Sequence, residues 1–263
     1  MTLLLEPWRR VCAPRVEGVE RIPAQGPLLF VGNHTLYGIL DAPLIMIEVH
    51  ERTGHYLRPL ADHAHFSMPG WRDLVKVMGA VDGTRANCAR LFEQGETVLV
   101  FPGGAREVNK RKGEKYKLVW GERTGFARMA LQHGTPIVPF ASVGVEDAFD
   151  IRWDAEDLLT SPLGPILREL GVREDLVLPV LSGLGGLPLP RPMRLYFGFG
   201  DPIDPADFEE GSLDERAWAL REATQRAIEA RLETLFELRR EDPKRSLLGR
   251  LARAALDKAA RWS

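Results

Sequence analysis

Cysteine is scarce: the chain holds Cys12 and Cys88 only, far apart in sequence. That excludes a disulfide framework and a cysteine-based metal pattern, and it fits a reducing compartment. No run of eighteen apolar residues occurs, so no spanning helix is expected. The apolar start Leu3–Leu5 is short, and Glu6, Arg9 and Arg10 follow at once, unlike a secretory leader. Charge of one sign is lacking as well. Thirty-five Lys and Arg stand against thirty-seven Asp and Glu, a net charge of −2. A strongly basic nucleic-acid binder is not expected on that balance. No G-x-S-x-G elbow, Walker loop or G-x-G-x-x-G fingerprint occurs, so the common serine-hydrolase and nucleotide-binding signatures are missing. Asp62-His63-Ala64-His65 has no third ligand at recognisable spacing, and no metal site is expected.

What is present is ordinary globular composition, 44% hydrophobic and 27% charged, in 263 residues. That length suffices for one sizeable core. Strand and helix signals alternate from residue 28 to 141. Leu28–Val31, closed by Gly32-Asn33, predicts a buried strand, and Ile39–Glu48 a helix with Pro43 in its first turn. Tyr56–Ala61 predicts a strand, Pro69–Val77 a helix, and Val77–Val81 a strand ending at Asp82-Gly83. Thr84 is placed to cap a helix running to Gln94. Thr97–Phe101 predicts a strand ending at Pro102-Gly103-Gly104. Gly125–Gln132 predicts a helix with Gly134 as C-cap, and Pro136–Ala141 another buried strand. Residues 161–192 are rich in Leu, Pro and Gly and show no period. Met193–Gly198 predicts one more strand, Leu213–Leu238 a long charged helix, and Ser246–Trp262 an amphipathic one. The pattern predicts an α/β fold, a single domain with a central mixed, largely parallel sheet flanked by helices, plus C-terminal helices. Its parts are expected as an N-terminal amphipathic segment (1–24), the main domain (25–205) and the C-terminal helices (206–263).

Four loops carry the residues suited to chemistry. The first, Gly32 to Asp41, sets His34 just after a buried strand with Asp41 downstream. On the residues alone two readings stand: a general base with an orienting acid, or a histidine that only bonds the backbone. Were residues 34–41 all helical, Asp41 would lie about 10.5 Å along the axis from His34, too far for a hydrogen bond. A His34–Asp41 dyad therefore needs a turn over Thr35–Gly38, which Gly38 permits; Asp62 is a rival partner. The second loop, Phe101-Pro102-Gly103-Gly104-Ala105-Arg106-Glu107, offers glycines for close backbone approach and an arginine for an anion or ester carbonyl. The alternative is a tight turn with Arg106 paired to a nearby carboxylate. The third, Gly79 to Arg85, reads alone as a turn, and the fourth, Thr135 to Phe140, as a packing strand.

Together, in this order and spacing, the four resemble the glycerolipid (PlsC-like) acyltransferase superfamily. Its blocks are His-x4-Asp, a segment ending in Arg, a Phe-Pro-Glu-Gly-Thr-Arg-like loop and a Val-Pro-Ile-Val-Pro-like strand. "FPGGAREV", followed by "KYKLVWGERTGFARMALQHGTPIVPF", looks closer to the diacylglycerol-acyltransferase and phytyl-ester-synthase branch. The resemblance covers roughly residues 25–205. Plant members of that branch carry an extra hydrolase domain, for which this chain leaves no room. By resemblance, His34 is the base that deprotonates an acceptor hydroxyl and Asp41 orients it. The attacked carbonyl belongs to an acyl thioester, so acyl-CoA or acyl carrier protein is the donor, with no cofactor and no acyl-enzyme. Arg85, Gly103, Gly104, Arg106 and Glu107 match the substrate-binding blocks.

The sequence also departs from the pattern. Six residues separate His34 from Asp41, the glutamate of the third block is Gly103, its threonine is Ala105, and Asp82 replaces the aromatic of the second. These losses tilt the acceptor from a phosphorylated glycerol toward a neutral alcohol such as mono- or diacylglycerol or a long-chain alcohol. The expected function is O-acyl transfer to such a lipid alcohol. The alternatives are a lysophospholipid or glycerol-phosphate acyltransferase, a thioesterase or ester hydrolase, and an inactive lipid-binding protein. Lys110, Arg111, Lys112, Lys115 and Lys117 suit either the donor's phosphates or a solvated loop. The basic face of residues 244–263, with Leu247, Leu251 and Trp262, suits either a membrane surface or a closing helix, and Trp8, Arg9 and Arg10 a second membrane contact. The expected location is cytoplasmic, peripheral on the inner face of a membrane.

Overall fold

The computed structural model describes residues 2–251. The chain opens with helix α1 (Thr2–Cys12) and strand β1 (Arg15–Glu17). Then follow β2 (Leu29–Gly32), α2 (Ala42–Thr53), β3 (Leu57–Ala61), α3 (Ala64–Ser67), α4 (Trp71–Val77), β4 (Val81–Asp82) and α5 (Arg85–Glu93). Next come β5 (Thr97–Val100), α6 (Gly104–Val108), α7 (Gly125–His133) and β6 (Ile137–Val143). A small lobe holds β7 (Asp150–Trp153), α8 (Ala155–Thr160), α9 (Gly164–Glu169) and β8 (Val180–Ser182). The chain then rejoins the main body as β9 (Tyr196–Phe199) and α10 (Leu213–Glu241).

Seven strands make one sheet in the order β1-β9-β6-β2-β5-β3-β4, and β7 pairs with β8 apart from it. Within the seven, β6 and β9 pair antiparallel and the other neighbours are parallel, so the sheet is mixed and largely parallel. Successive residues of a strand face opposite sides. Leu29 and Val31 join a core with Leu91 of α5, Phe126 and Met129 of α7, and Leu220, Ile228 and Leu232 of α10. Phe30 joins the opposite core with Cys12 of α1 and Leu44, Ile45 and Val49 of α2. Both faces of β2 and β6 are therefore covered, which is why these strands read as unbroken apolar runs.

Several predicted boundaries hold for the expected reasons. Thr84 accepts from the Asn87 amide at 3.1 Å and starts α5, and Gly134 ends α7 at φ +59°. Pro43 sits in the first turn of α2. Two expectations change. Val77 ends α4 rather than opening a strand, because Gly79 turns the chain at φ +85° and only Val81–Asp82 reaches β3. Residues 15–17, expected in a separate N-terminal segment, pair with β9 inside the main sheet. The region without a period, 161–192, belongs to the lobe built on the β7–β8 pair. The amphipathic stretch Ser246–Trp262 lies outside the described residues from 252 onward.

Candidate active site

The parallel strands deliver the sequence loops to one edge of the sheet. β2, β3, β4 and β5 all end there, which brings the loops after Gly32, Asp82 and Val100 to the side where open α/β sheets bind ligands. The root of the first loop is pinned by Asn33. It is buried and exchanges two hydrogen bonds with the backbone of Ser142 in β6: its Nδ2 donates to the carbonyl at 3.0 Å and its Oδ1 accepts from the amide at 2.8 Å.

His34 follows, half-buried, its ring stacked on Phe101 with centroids 4.0 Å apart and planes 14° from parallel. Gly38 closes over the ring. It has φ +60°, and a Cβ there would lie 2.2 Å from His34 Cε1, so both the backbone and the contact require glycine. Nδ1 of His34 is sealed from solvent and has no hydrogen-bond partner. Burial first, then the positive charge of Lys110 and then His65, pushes the imidazole pKa down to about 3, so the ring is uncharged.

The peptide groups of His34 are held from below. Its amide donates to Glu107 Oε1 at 3.0 Å, and its carbonyl accepts from Lys110 Nζ at 3.2 Å. Glu107, Lys110 and Glu146 are all fully buried, and Lys110 donates to Glu146 Oε1 at 2.5 Å. Burial pushes the Glu107 carboxyl up to about 7, against the lowering effect of Lys110 and the His34 amide. A cavity of about 490 Å³ is lined by Phe101, on which His34 stacks, and by Arg85, Pro102, Arg123, Gly125 and Arg128, among others.

The acyltransferase family profile matches residues 13–143. The chain belongs to the acyltransferase family. It is 35% identical over 253 residues to phytyl ester synthase 2, chloroplastic, of Arabidopsis thaliana, covering 90% of this chain and 36% of that protein. It is 31% identical over 190 residues to the bovine DGAT1/2-independent enzyme synthesizing storage lipids, covering 72% and 52%. The chain thus spans about a third to a half of the length of these relatives. The crystal structure of the 1-acyl-sn-glycerophosphate acyltransferase PlsC from Thermotoga maritima overlays with a TM-score of 0.45 and 17% identity, over 86% of this chain and 79% of that one.

The acyltransferase fold brings some of the expected residues together and not others. The direct His34–Asp41 hydrogen bond is not made. Asp41 begins α2, and its carboxylate accepts from Thr35 Oγ1 at 2.8 Å and Ser142 Oγ at 2.5 Å. The six-residue spacing carries the acid past the ring to these hydroxyls. Burial nonetheless raises the Asp41 pKa, with both hydroxyl hydrogen bonds working against it. Glu107, expected to bind substrate, is sealed beneath His34, where it accepts from the His34 amide. Arg106 makes a two-pronged pair with Glu114 at 2.9 and 2.5 Å, the alternative the loop left open. Gly103 caps and Gly104 begins the short helix α6 where the sequence suggested a turn, and Arg123 donates to the Pro102 carbonyl at 3.0 Å and that of Gly103 at 2.5 Å. Arg85 is exposed at the start of α5 and shares its cavity with Phe101.

The basic cluster after the glycines is largely spent inside the protein. Lys110 is buried, Arg111 pairs with Glu174, Lys112 pairs with Asp157 at 2.7 Å, and Lys115 donates to the Phe149 carbonyl at 3.0 Å. Asp62, the rival partner, accepts from the Ala64 amide at 2.9 Å instead of reaching His34. Sequence reasoning missed Thr35, Phe101, Ser142, Lys110 and Glu146 as neighbours of His34 and Asp41. Only the β2–β6 pairing, which sequence spacing does not reveal, brings Ser142 to the loop.

Proposed function

We propose that the chain transfers an acyl group from an acyl thioester, acyl-CoA or acyl carrier protein, to the hydroxyl of a lipid alcohol. The observation that supports this most is the placement of His34, stacked on Phe101, a residue that also lines the cavity holding Arg85. With Nδ1 sealed, Nε2 takes the proton from the acceptor hydroxyl. The alkoxide oxygen attacks the thioester carbonyl carbon, the tetrahedral intermediate collapses, and the thiolate leaves with the proton from the imidazolium. No acyl-enzyme and no cofactor enter the step. A positioned base is worth about 10²–10⁴-fold. Asp41 acts as a positioning residue through Thr35, the neighbour of His34. Arg85 and the backbone at Gly103 and Gly104 bind substrate. Arg106 is occupied by Glu114, which supports a neutral acceptor, mono- or diacylglycerol or a long-chain alcohol, over a phosphorylated one.

The substrate comes from a lipid surface at the cytoplasmic face of a membrane. Among the described residues no helix is long and apolar enough to cross a bilayer. The lobe exposes Trp153, Leu163, Ile166, Leu170, Leu178 and Leu187, and it is tied to the His34 loop by Tyr37 Oη, which donates to the Pro179 carbonyl at 2.7 Å. Of the N-terminal residues expected to touch lipid, Trp8 and Arg9 bond to distant parts of the fold, while Arg10 stays exposed. Trp8 Nε1 donates to the Leu40 carbonyl at 2.9 Å, Arg9 pairs with Glu48 and Glu51, and Arg10 pairs with Glu6.

The test mixes purified protein with oleoyl-CoA or acyl carrier protein donors, liposomes and a panel of alcohols, with His34→Ala alongside. A new ester that disappears in His34→Ala is the expected result, and the reacting acceptor identifies the substrate class. Free fatty acid alone, lost in the variant, makes the protein a hydrolase. The unmade His34–Asp41 bond favours one second reading, a lipid-binding protein without turnover. Liposome binding with no His34-dependent product from either donor would establish it.

A further inference from the structure

We infer that Glu107 is a positioning residue for the reaction: its carboxylate enters the space that Gly103 leaves open and, by holding the His34 amide, sets where the imidazole stands. The inference rests on His34 being the base. Gly103 has φ −68° and ψ −23°, a conformation any residue adopts, so its backbone does not call for glycine. Its surroundings do. A Cβ at 103 would lie 1.9 Å from Glu107 Oε2 and 2.3 Å from Glu107 Cβ. The position where the superfamily pattern has glutamate is therefore empty of side chain, and a carboxylate from one turn further along fills it.

That carboxylate is committed to His34. Oε1 accepts from the His34 amide at 3.0 Å, and three residues on, Lys110 donates to the His34 carbonyl at 3.2 Å. One short segment thus grips the histidine's main chain at both ends, while Phe101 fixes the plane of its ring. A role in filling space would not need charge. Buried ionic groups are at best weak contributors to stability, and Glu107 Oε2 is sealed without a partner. Trp120 Nε1 lies near it but is itself without a hydrogen bond. The charged groups that face Glu107 are Lys110, from the same loop, and Glu146, from the turn after β6.

The decisive test is spectroscopic. In full-length protein labelled with ¹⁵N-histidine, the His34 amide proton is expected to shift with pH, with a midpoint near the Glu107 value of about 7. In Glu107→Gln that shift should vanish while the other histidine signals keep their positions. A His34 amide indifferent to pH in the wild type, or titrating equally in Glu107→Gln, would overturn the inference. A kinetic arm uses the reacting acceptor. Glu107→Ala should lower kcat by up to about 10²-fold, the scale of a small misplacement, with KM nearly unchanged. Because a Cβ at 107 would meet one at 103, the rescue is built on Glu107→Gly: adding Gly103→Glu should recover about tenfold or more, whereas adding Gly103→Gln, which fills the space without charge, should not. Activity lost in His34→Ala but intact in Glu107→Ala rejects the positioning role and leaves the base. Activity that survives His34→Ala rejects the base itself.

Discussion

At Gly38 two demands meet in one residue: a left-handed backbone and contact with the ring of His34. Gly38→Ala should lower stability by about 1–2 kcal/mol from the backbone alone. It should also move the imidazole, so activity is expected to fall further than the thermal melt would suggest. A melt and a turnover assay on the same sample check this, and a variant with full activity contradicts the contact. Thr35 offers a second test. If Asp41 works through that hydroxyl, Thr35→Val and Asp41→Asn should reduce kcat by similar factors, and the double variant should be no worse than either single one. Additive losses would instead mean that the two act separately. His34 and the paired glycines could be picked out from the sequence, because a histidine or glycines just after a strand stand out; Arg85 came only from the resemblance, its own loop reading as a turn. Glu107 was legible as a member of its loop but not as a buried group. Its direction depends on how α6 rolls against the His34 loop, which no spacing reports.

Helix ends and faces make their own predictions. Thr84→Ala removes the oxygen that accepts from the Asn87 amide and should cost about 1 kcal/mol, read as a lower urea midpoint with an unchanged slope. Leu163, Ile166 and Leu170, at and beside α9, are each more than half exposed and follow helical spacing. Changing all three to serine should leave the melting temperature nearly unaltered and weaken flotation with liposomes. Unchanged flotation would move the lipid contact elsewhere. The main strands and the helices that cap them were legible because β2 and β6 are covered on both faces and because Gly, Pro and Thr mark their ends. The lobe was not, since its short β7–β8 pair and six-residue helices are too brief to show a period.

For the molecule as a whole, the buried Glu107 couples stability to pH. An unfolded glutamate ionises near 4.5, while the folded one holds its proton to about 7. Between these values the folded chain carries a proton that the unfolded chain has lost. The associated stability is therefore fully present below about pH 4.5 and is lost as pH rises through about 7, a change on the order of 3 kcal/mol. Melts of wild type and Glu107→Gln from pH 5 to 8 should show the variant gaining on the wild type as pH rises; a constant gap would rule this out. Overall layering was legible from alternation alone. The reversal of β9 against β6 and the pairing of β1 beside it were not, because they join segments 53–59 and about 180 positions apart.

That pairing has a consequence for biosynthesis. Arg15–Glu17 leaves the ribosome early, yet its partner Tyr196–Gly198 is made roughly 180 residues later. At about 5–20 residues per second the first strand waits on the order of 10–40 s with its backbone groups unmatched. For roughly the last 55 residues of that interval, about 3–11 s, the edge of β6 that receives β9 is also bare. A nascent chain stalled before residue 196 should therefore be open to chaperones along both edges, and release from them should coincide with the emergence of β9.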